Sequence, residues 1–210
     1  LKKNIRLRTR SDTKIGLLLS AGIDSNLIRK NIPKVDYFSG GFKDDFDYAY
    51  LKKKGINVNF TKITKVSFLK RLKKLIYLRG EPLSVPNEVI LSLIAKNAKS
   101  KRIKVLLSGE GADEFFGGYD RIFNWSVNNK FNVERFCDFY CYNKIKKNSP
   151  EFLTLKNFFI RLKKLSPFEK VKFFFIKYHL PILLRRLDFS LMSEGIEGRE
   201  PFLSKEIFNV

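Results

Sequence analysis

The chain has 210 residues, of which 42 are Lys or Arg and 21 are Asp or Glu, so it carries a formal charge of +21 at neutral pH. A hydrophobic content of 44% with 14% aromatics excludes a disordered polymer and suffices for a sizeable core. The charge suggests a nucleic-acid partner, but the basic residues lie in short groups on the polar faces of expected helices (Lys70-Arg71, Lys163-Lys164, Arg185-Arg186), without the aromatic–basic interleaving that grips a strand, so nucleic acid is not expected as a partner.

No apolar run approaches the ~18 residues that a membrane helix needs, so no membrane association is expected. A secretory signal pattern is absent at the amino terminus. Cys137 and Cys141, with the lone His179, make neither a disulfide framework nor a metal site. They suit a reducing, cytoplasmic location. The chain starts at Leu1 without an initiator Met, and it reads as a piece of a longer protein.

Leu1–Asp12 is basic and is expected to be irregular. Lys14–Leu19 is apolar enough for a buried first strand, and Asp24–Lys30 reads as a helix ended by Asn31 and Pro33. Val35–Phe38 is a second strand running into Ser39-Gly40-Gly41. Asp47–Lys54 is a helix stopped by Gly55, and Ile56–Ile63 is a third strand. Val66–Arg79 carries Phe68, Leu69, Leu72, Leu75 and Ile76 on one face, the stripe of an amphipathic helix. A further helix runs from Pro86-Asn87 to about Ala98, and Val105–Leu107 is the fourth strand. Beyond Tyr119 no clear strand is expected. Aromatics crowd 123–139, 152–159 and 168–178, as in a helical region with its own core. The polar stretch Glu197–Leu203 reads as a substrate-contacting loop or a turn.

Strands alternating with helices predict an α/β fold, a parallel twisted sheet with flanking helices followed by a helical region. Such sheets bind ligands at their carboxyl edge, where the Gly-bearing turns after the first and fourth strands both fall. The second of these turns is the more informative. Ser108 ends a strand, Gly109 and Gly111 flank Glu110, and Asp113-Glu114 open a helix. Strand, Gly-rich turn and helix N-terminus present backbone N–H groups to phosphate, but three carboxylates repel phosphate unless a divalent metal intervenes. A metal–nucleotide site follows, with an acidic helix-capping loop as the alternative.

The first turn, Ser20–Ser25, lies where a phosphate loop would lie. The G-x-x-x-x-G-K-[ST] and G-x-G-x-x-G patterns are both absent, which leaves kinase-type and dinucleotide chemistry unsupported. The turn offers the Ser20 and Ser25 hydroxyls, Gly22, helix N-terminal N–H groups and the Asp24 carboxylate, which suit a pyrophosphate with a Mg2+ counter-ion.

Ser-x-Gly-x-Asp-Ser after the first strand resembles the pyrophosphate loop of the ATP-pyrophosphatase superfamily (adenine nucleotide alpha-hydrolase-like fold). Together with Ser108–Tyr119, Arg8–Asp12, Glu81-Pro82 and Glu197–Leu203, it resembles the synthetase domain of glutamine-dependent asparagine synthetases. The resemblance implies aspartate, ATP and ammonia from glutamine as substrates, with a β-aspartyl-AMP intermediate that ammonia converts to asparagine. It implies that Ser20, Gly22, Asp24 and Ser25 hold the pyrophosphate and that Leu19, Gly40, Ser108 and Gly109 contact the nucleotide. Asp24 and Asp113 would reach Mg2+, Glu110 would be the catalytic carboxylate, and Arg199 would order its loop. Residues 1–12 would be a lead-in from a glutaminase domain of the same full-length chain, 13–122 the nucleotide-binding core and 123–210 the helical portion, truncated at its end. A homodimer is among the assemblies this family suggests.

Three departures stand out. Ala21 replaces a second Gly, adding a methyl where phosphate approaches and resisting positive φ. The segment around Phe38–Asp47 is short, and Glu200 replaces an apolar residue before Pro201. The family's glutaminase domain and the Lys of its carboxyl-terminal portion lie outside the chain, so this piece alone is expected to be weakly active or inactive. The alternatives are another amidating synthetase of the same superfamily, which closes a β-lactam or amidates a sugar or peptide, and a basic nucleic-acid-binding or tRNA-modifying relative.

Overall fold

Five short strands, β1 (Ile15–Leu18), β2 (Asp36–Gly41), β3 (Asn59–Lys62), β4 (Val105–Leu107) and β5 (Glu197–Arg199), pair in the order β3-β2-β1-β4-β5. Every pairing is parallel, with registers Leu17↔Tyr37, Leu17↔Leu107, Phe38↔Asn59 and Leu107↔Arg199. The structure, a computed structural model, describes residues 1–208. The central strands are continuous apolar runs because helices cover both faces, and Leu17, Leu106 and Leu107 are fully buried. Gly16 is a packing requirement: a Cβ there would stand 2.8 Å from the Phe38 ring and 2.9 Å from Leu106.

The helices are α1 (Lys2–Arg8), α2 (Ile23–Asn31), α3 (Phe46–Lys53), α4 (Lys65–Arg79), α5 (Asn87–Ser100), α6 (Ala112–Phe116), α7 (Asp120–Asn128), α8 (Val133–Tyr140), α9 (Pro150–Arg161), α10 (Pro167–Phe174), α11 (Leu180–Met192) and α12 (Lys205–Phe208). A π-helical turn, Phe175–His179, joins α10 to α11. Local chemistry sets several boundaries. Thr64 and Ser67 form a reciprocal capping box on α4, which ends at Gly80 with φ 75°. Ser149 and Ser166 cap α9 and α10, each followed by a proline whose missing N–H costs nothing at a first helical position.

The chain divides into two compact units, one of Leu1–Gly111 with the segment from Ile182 onward, the other of Ala112–Pro181. The sheet unit has its core in Phe38, Ile94, Ala95, Ala98, Ile103, Leu106, Leu187, Leu191 and Ile196. The second unit is helical and packs the aromatics noted in the sequence, with Phe136, Phe159, Phe174 and Phe175 at its centre.

Two expectations are corrected. Leu1–Asp12 is not irregular: α1 turns Ile5, fully buried, into the sheet unit, and Asn4 donates to Ser204 Oγ at 2.7 Å. A seven-residue helix with one inward apolar residue has too little periodicity to be recognised. Beyond Tyr119 there is a strand after all, β5, drawn from the segment read as a loop. It is short and polar because it is an edge, and Gly198 leaves room for α11, since a Cβ there would be 3.1 Å from Leu191.

Candidate functional site

Strand order reverses between β1 and β4, and in open parallel sheets the ligand crevice lies outside the carboxyl ends at such a point. The turns that follow these two strands therefore lie side by side. The ladder continues past each strand, with Leu19 N–H donating to the Phe38 carbonyl at 2.8 Å and Ser108 N–H to the Arg199 carbonyl at 3.0 Å. The two turns touch closely. A Cβ on Gly109 would stand 3.2 Å from both Asp24 Cβ and the backbone nitrogen of Ser25, so the close approach requires a residue without a side chain.

The Ser20–Ser25 turn is held by its own side chains. Buried Ser25 accepts the Ser20 N–H at 3.2 Å through its hydroxyl, which lies 3.1 Å from Ser20 Oγ. Gly22 N–H donates to Ser20 Oγ at 3.1 Å, while Asn26 Nδ2 donates to the carbonyls of Ser20 and Gly22. Extended Gly22 caps α2, and Asp24 falls in its first turn, where the helix N-terminus favours negative charge. Ala21 departs from expectation. Asp44 and Arg102 are the non-glycine residues with positive φ among the described residues, so the turn does not call for left-handed backbone at position 21 and the methyl causes no backbone strain. Its N–H donates to Asp47 Oδ1 at 2.9 Å, a contact no sequence pattern signals.

Gly40 in β2 is crowded, since a Cβ there would meet Ile94 at 2.8 Å and the Thr61 carbonyl at 3.1 Å. In the other turn, buried Ser108 accepts Glu110 N–H at 3.3 Å through its hydroxyl. Glu110 Oε1 accepts a hydrogen bond from an Arg186 Nη of α11 at 3.1 Å. In sequence, Arg186 was half of a basic pair on a polar face; the helix turns it to the sheet edge instead. Glu200, just past β5, has its carboxyl raised above the usual range by burial, with Arg8 opposing and Glu110 and Asp188 reinforcing the shift. Arg199 clasps Glu197 at 2.8 and 3.2 Å and donates to the carbonyls of Arg8 and Arg10 at 2.9 and 2.7 Å, which fastens the segment after α1 to β5.

In the helical unit, Asp113 lies in the first turn of α6, and its carbonyl accepts the N–H groups of Gly117 and Gly118. A Cβ on Gly118 would fall 1.8 Å from the Asp113 carboxylate, so this glycine makes room for it. Desolvation first and the charge of Asp120 second raise the Asp113 carboxyl above its ordinary value. Glu114, which had no assigned role, is buried and accepts from the Tyr119 hydroxyl. His179 lies with Nε2 3.3 Å from that hydroxyl and Nδ1 3.1 Å from the hydroxyl of Tyr140. Burial pushes the Cys137 thiol up to about 11, with the neighbouring Cys141 adding to the shift, as befits an inert core residue.

Among the described residues no group of three or more His, Cys, Asp or Glu side chains could hold a metal ion by itself. The Asp24 carboxylate beside an anion-favouring turn fits magnesium, which takes most of its ligands from phosphate and water. No helix among the described residues is long and apolar enough to cross a membrane.

The chain matches the family model described as asparagine synthase over residues 1–210. It is 36% identical over 129 residues to asparagine synthetase [glutamine-hydrolyzing] 1 of Bacillus subtilis (strain 168), covering 56% of this chain and 20% of that protein. A putative asparagine synthetase [glutamine-hydrolyzing] of Mycobacterium tuberculosis (strain ATCC 25618 / H37Rv) is 33% identical over 129 residues, covering 57% of this chain and 20% of that protein. Putative asparagine synthetase [glutamine-hydrolyzing] 1 of Methanocaldococcus jannaschii is 24% identical over 169 residues, covering 75% and 31%. The chain thus spans about a fifth to a third of the length of these relatives.

Proposed function

The chain belongs to the asparagine synthase family, and on that premise we propose that it supplies the adenylating centre of an ATP-dependent ligase that converts aspartate to asparagine. The contact between Gly109 and the first turn of α2, at the strand ends where the sheet order reverses, carries this reading. It lays a helix N-terminus and a Gly-bearing turn against one another, as a polyphosphate needs.

Ser20, Gly22 and Ser25 line the place for the pyrophosphate moiety, with Asp24 as the carboxylate for its magnesium counter-ion. Leu19, Gly40, Ser108 and Gly109 line the nucleotide, the two glycines through backbone. Magnesium, when bound, neutralises charge on the departing pyrophosphate. An oxygen of the aspartate side chain attacks the α-phosphorus, the bond to pyrophosphate breaks, and a β-aspartyl adenylate forms. Ammonia, derived from glutamine, then attacks the acyl carbon, the bond to AMP breaks, and Glu110 takes the proton that nitrogen loses.

The test is made on the full-length protein. AMP formation should require aspartate, ATP and magnesium together, and Glu110→Gln should suppress asparagine formation while the protein stays folded. AMP released with a different carboxylic acid and not with aspartate would redirect the assignment to another amidating ligase.

A further inference from the structure

The carboxylate given the proton-accepting role does not stand at the end of its own turn unaided. Glu110 lies between Gly109 and Gly111, neighbours with no side chain for it to pack against. An Arg186 Nη reaches its Oε1 at 3.1 Å from α11, an element 76 residues away in sequence. Both side chains are largely withdrawn from water, 16% exposed for Arg186 and 24% for Glu110, so the attraction is far less screened than at the surface.

Arg186 has a further peculiarity. Its Nε is buried and is the one buried side-chain polar atom among the described residues without a hydrogen-bond partner. Guanidinium–carboxylate pairs are commonly bidentate, through two neighbouring N–H groups. Here the fork is engaged through one Nη, and an adjacent donor is withdrawn from water and left over. Such an orphan is costly in a packed protein unless another arrangement satisfies it.

The base of the fork is rigid. Arg186 lies one residue before Leu187, which is 1% exposed in the sheet core, and its carbonyl accepts the Ser190 hydroxyl at 2.7 Å. Glu200, a half-buried carboxyl whose affinity for protons Glu110 raises, adds a reason for a cation at this place, because two carboxylates beside one another need one to stay ordered.

We propose that Arg186 is a positioning residue for Glu110, holding the carboxylate in a fixed direction for the amide-forming step. The inference rests on the role given above to Glu110. It predicts that Arg186 acts on the second half-reaction, which uses Glu110, and leaves the ATP and pyrophosphate contacts alone.

The experiment compares wild type, Glu110→Gln, Arg186→Gln and Arg186→Lys in the full-length protein. Aspartate-dependent exchange of pyrophosphate with ATP reports the first half-reaction, and asparagine formation from ammonia the second. Arg186→Gln should lower kcat for asparagine formation by about 100-fold, the scale of a misplaced reacting group, with the KM for ATP and the exchange rate within about twofold of wild type. Arg186→Lys, which keeps the charge and loses the fork, should fall between the two. Combining Arg186→Gln with Glu110→Gln should cost no more than Glu110→Gln alone, because one residue acts through the other. Wild-type asparagine formation by a folded Arg186→Gln protein would overturn the proposal, as would an equal loss in exchange and amide formation. Should Arg186→Gln fail to fold, Arg186→Lys decides, and a wild-type kcat in it would overturn the proposal. If Glu110→Gln itself retains the wild-type rate, the reading of Glu110 fails instead, and Arg186 with it.

Discussion

The backbone N–H of Ala21 donates to Asp47 Oδ1 at 2.9 Å, which sets a carboxylate of α3 on a donor of the Ser20–Ser25 turn. On the proposed reading of this turn, an arriving pyrophosphate group would compete with this carboxylate for the same N–H and be repelled by it. Asp47→Ala should therefore bind inorganic pyrophosphate more tightly, by about five- to tenfold for roughly 1 kcal/mol of relieved competition. Calorimetric titration measures it, and weaker binding in the variant would show that Asp47 assists the anion.

Gly109→Ala tests the contact between the two turns. The new methyl would stand 3.2 Å from the Ser25 backbone nitrogen, and a helix N-terminus cannot yield as a flexible side chain does. The expected result is a stability loss of about 1–3 kcal/mol with a much larger proportional loss of ATP affinity. A variant that melts lower yet binds ATP normally would separate packing from ligand binding and count against the assignment.

Glu194 joins α4 and α5 to the end of α11, pairing with buried Arg71 and with Lys74 and Lys99 at 3.5 and 3.6 Å. Burial pushes its carboxyl up, but the Arg71 hydrogen bond and the charges of Arg71, Lys74 and Lys99 outweigh it and hold it below the usual value of 4.5. The unfolded chain therefore takes up this proton at a higher pH than the folded one. The stabilisation is complete above that value and is lost as pH falls through the folded pKa. Urea unfolding from pH 7 to pH 3 should show the decline, with Glu194→Gln flattening it. Arg71→Met, which removes the buried partner and leaves the half-exposed Lys74 and Lys99, should cost about 1–3 kcal/mol at neutral pH.

His179→Phe isolates the polar part of the second unit's core. The ring volume is kept, while the contacts with the Tyr119 and Tyr140 hydroxyls at 3.3 and 3.1 Å are lost. The Tyr119 hydroxyl keeps Glu114 as its acceptor, so the loss at the Tyr140 hydroxyl, about 1–3 kcal/mol, predicts the fall in unfolding free energy. An unchanged value would mean that water replaces the imidazole at no cost.

β1 and β4 were legible because Ile15–Leu18 and Val105–Leu107 are apolar runs, and β4 is found as read; β2 and β3, at Asp36–Gly41 and Asn59–Lys62, carry more polar residues and lie at shifted bounds. The Ser20 and Ser108 turns were legible as well, since the residues that make a tight turn at a strand end are few. Arg186 and Asp47 were not. Each sits on a helix whose pattern marks it as an ordinary surface position, and the residue it meets lies 76 or 26 positions away.

By itself the sequence determined the parallel α/β class, the two turns at the sheet's carboxyl edge and the aromatic nature of the helical core, because these depend on spacing and residue type over short stretches. The tertiary structure alone decided that β5 completes the sheet, that α1 is held to it by Ile5 and Asn4, and that the chain from Ile182 returns to the sheet unit. It also decided which charges meet: Arg186 with Glu110, Arg199 with Glu197, Asp47 with the Ala21 N–H. A polar or charged group on a helix carries no local signature of its partner. The partner is chosen by where the packed core brings two distant elements together.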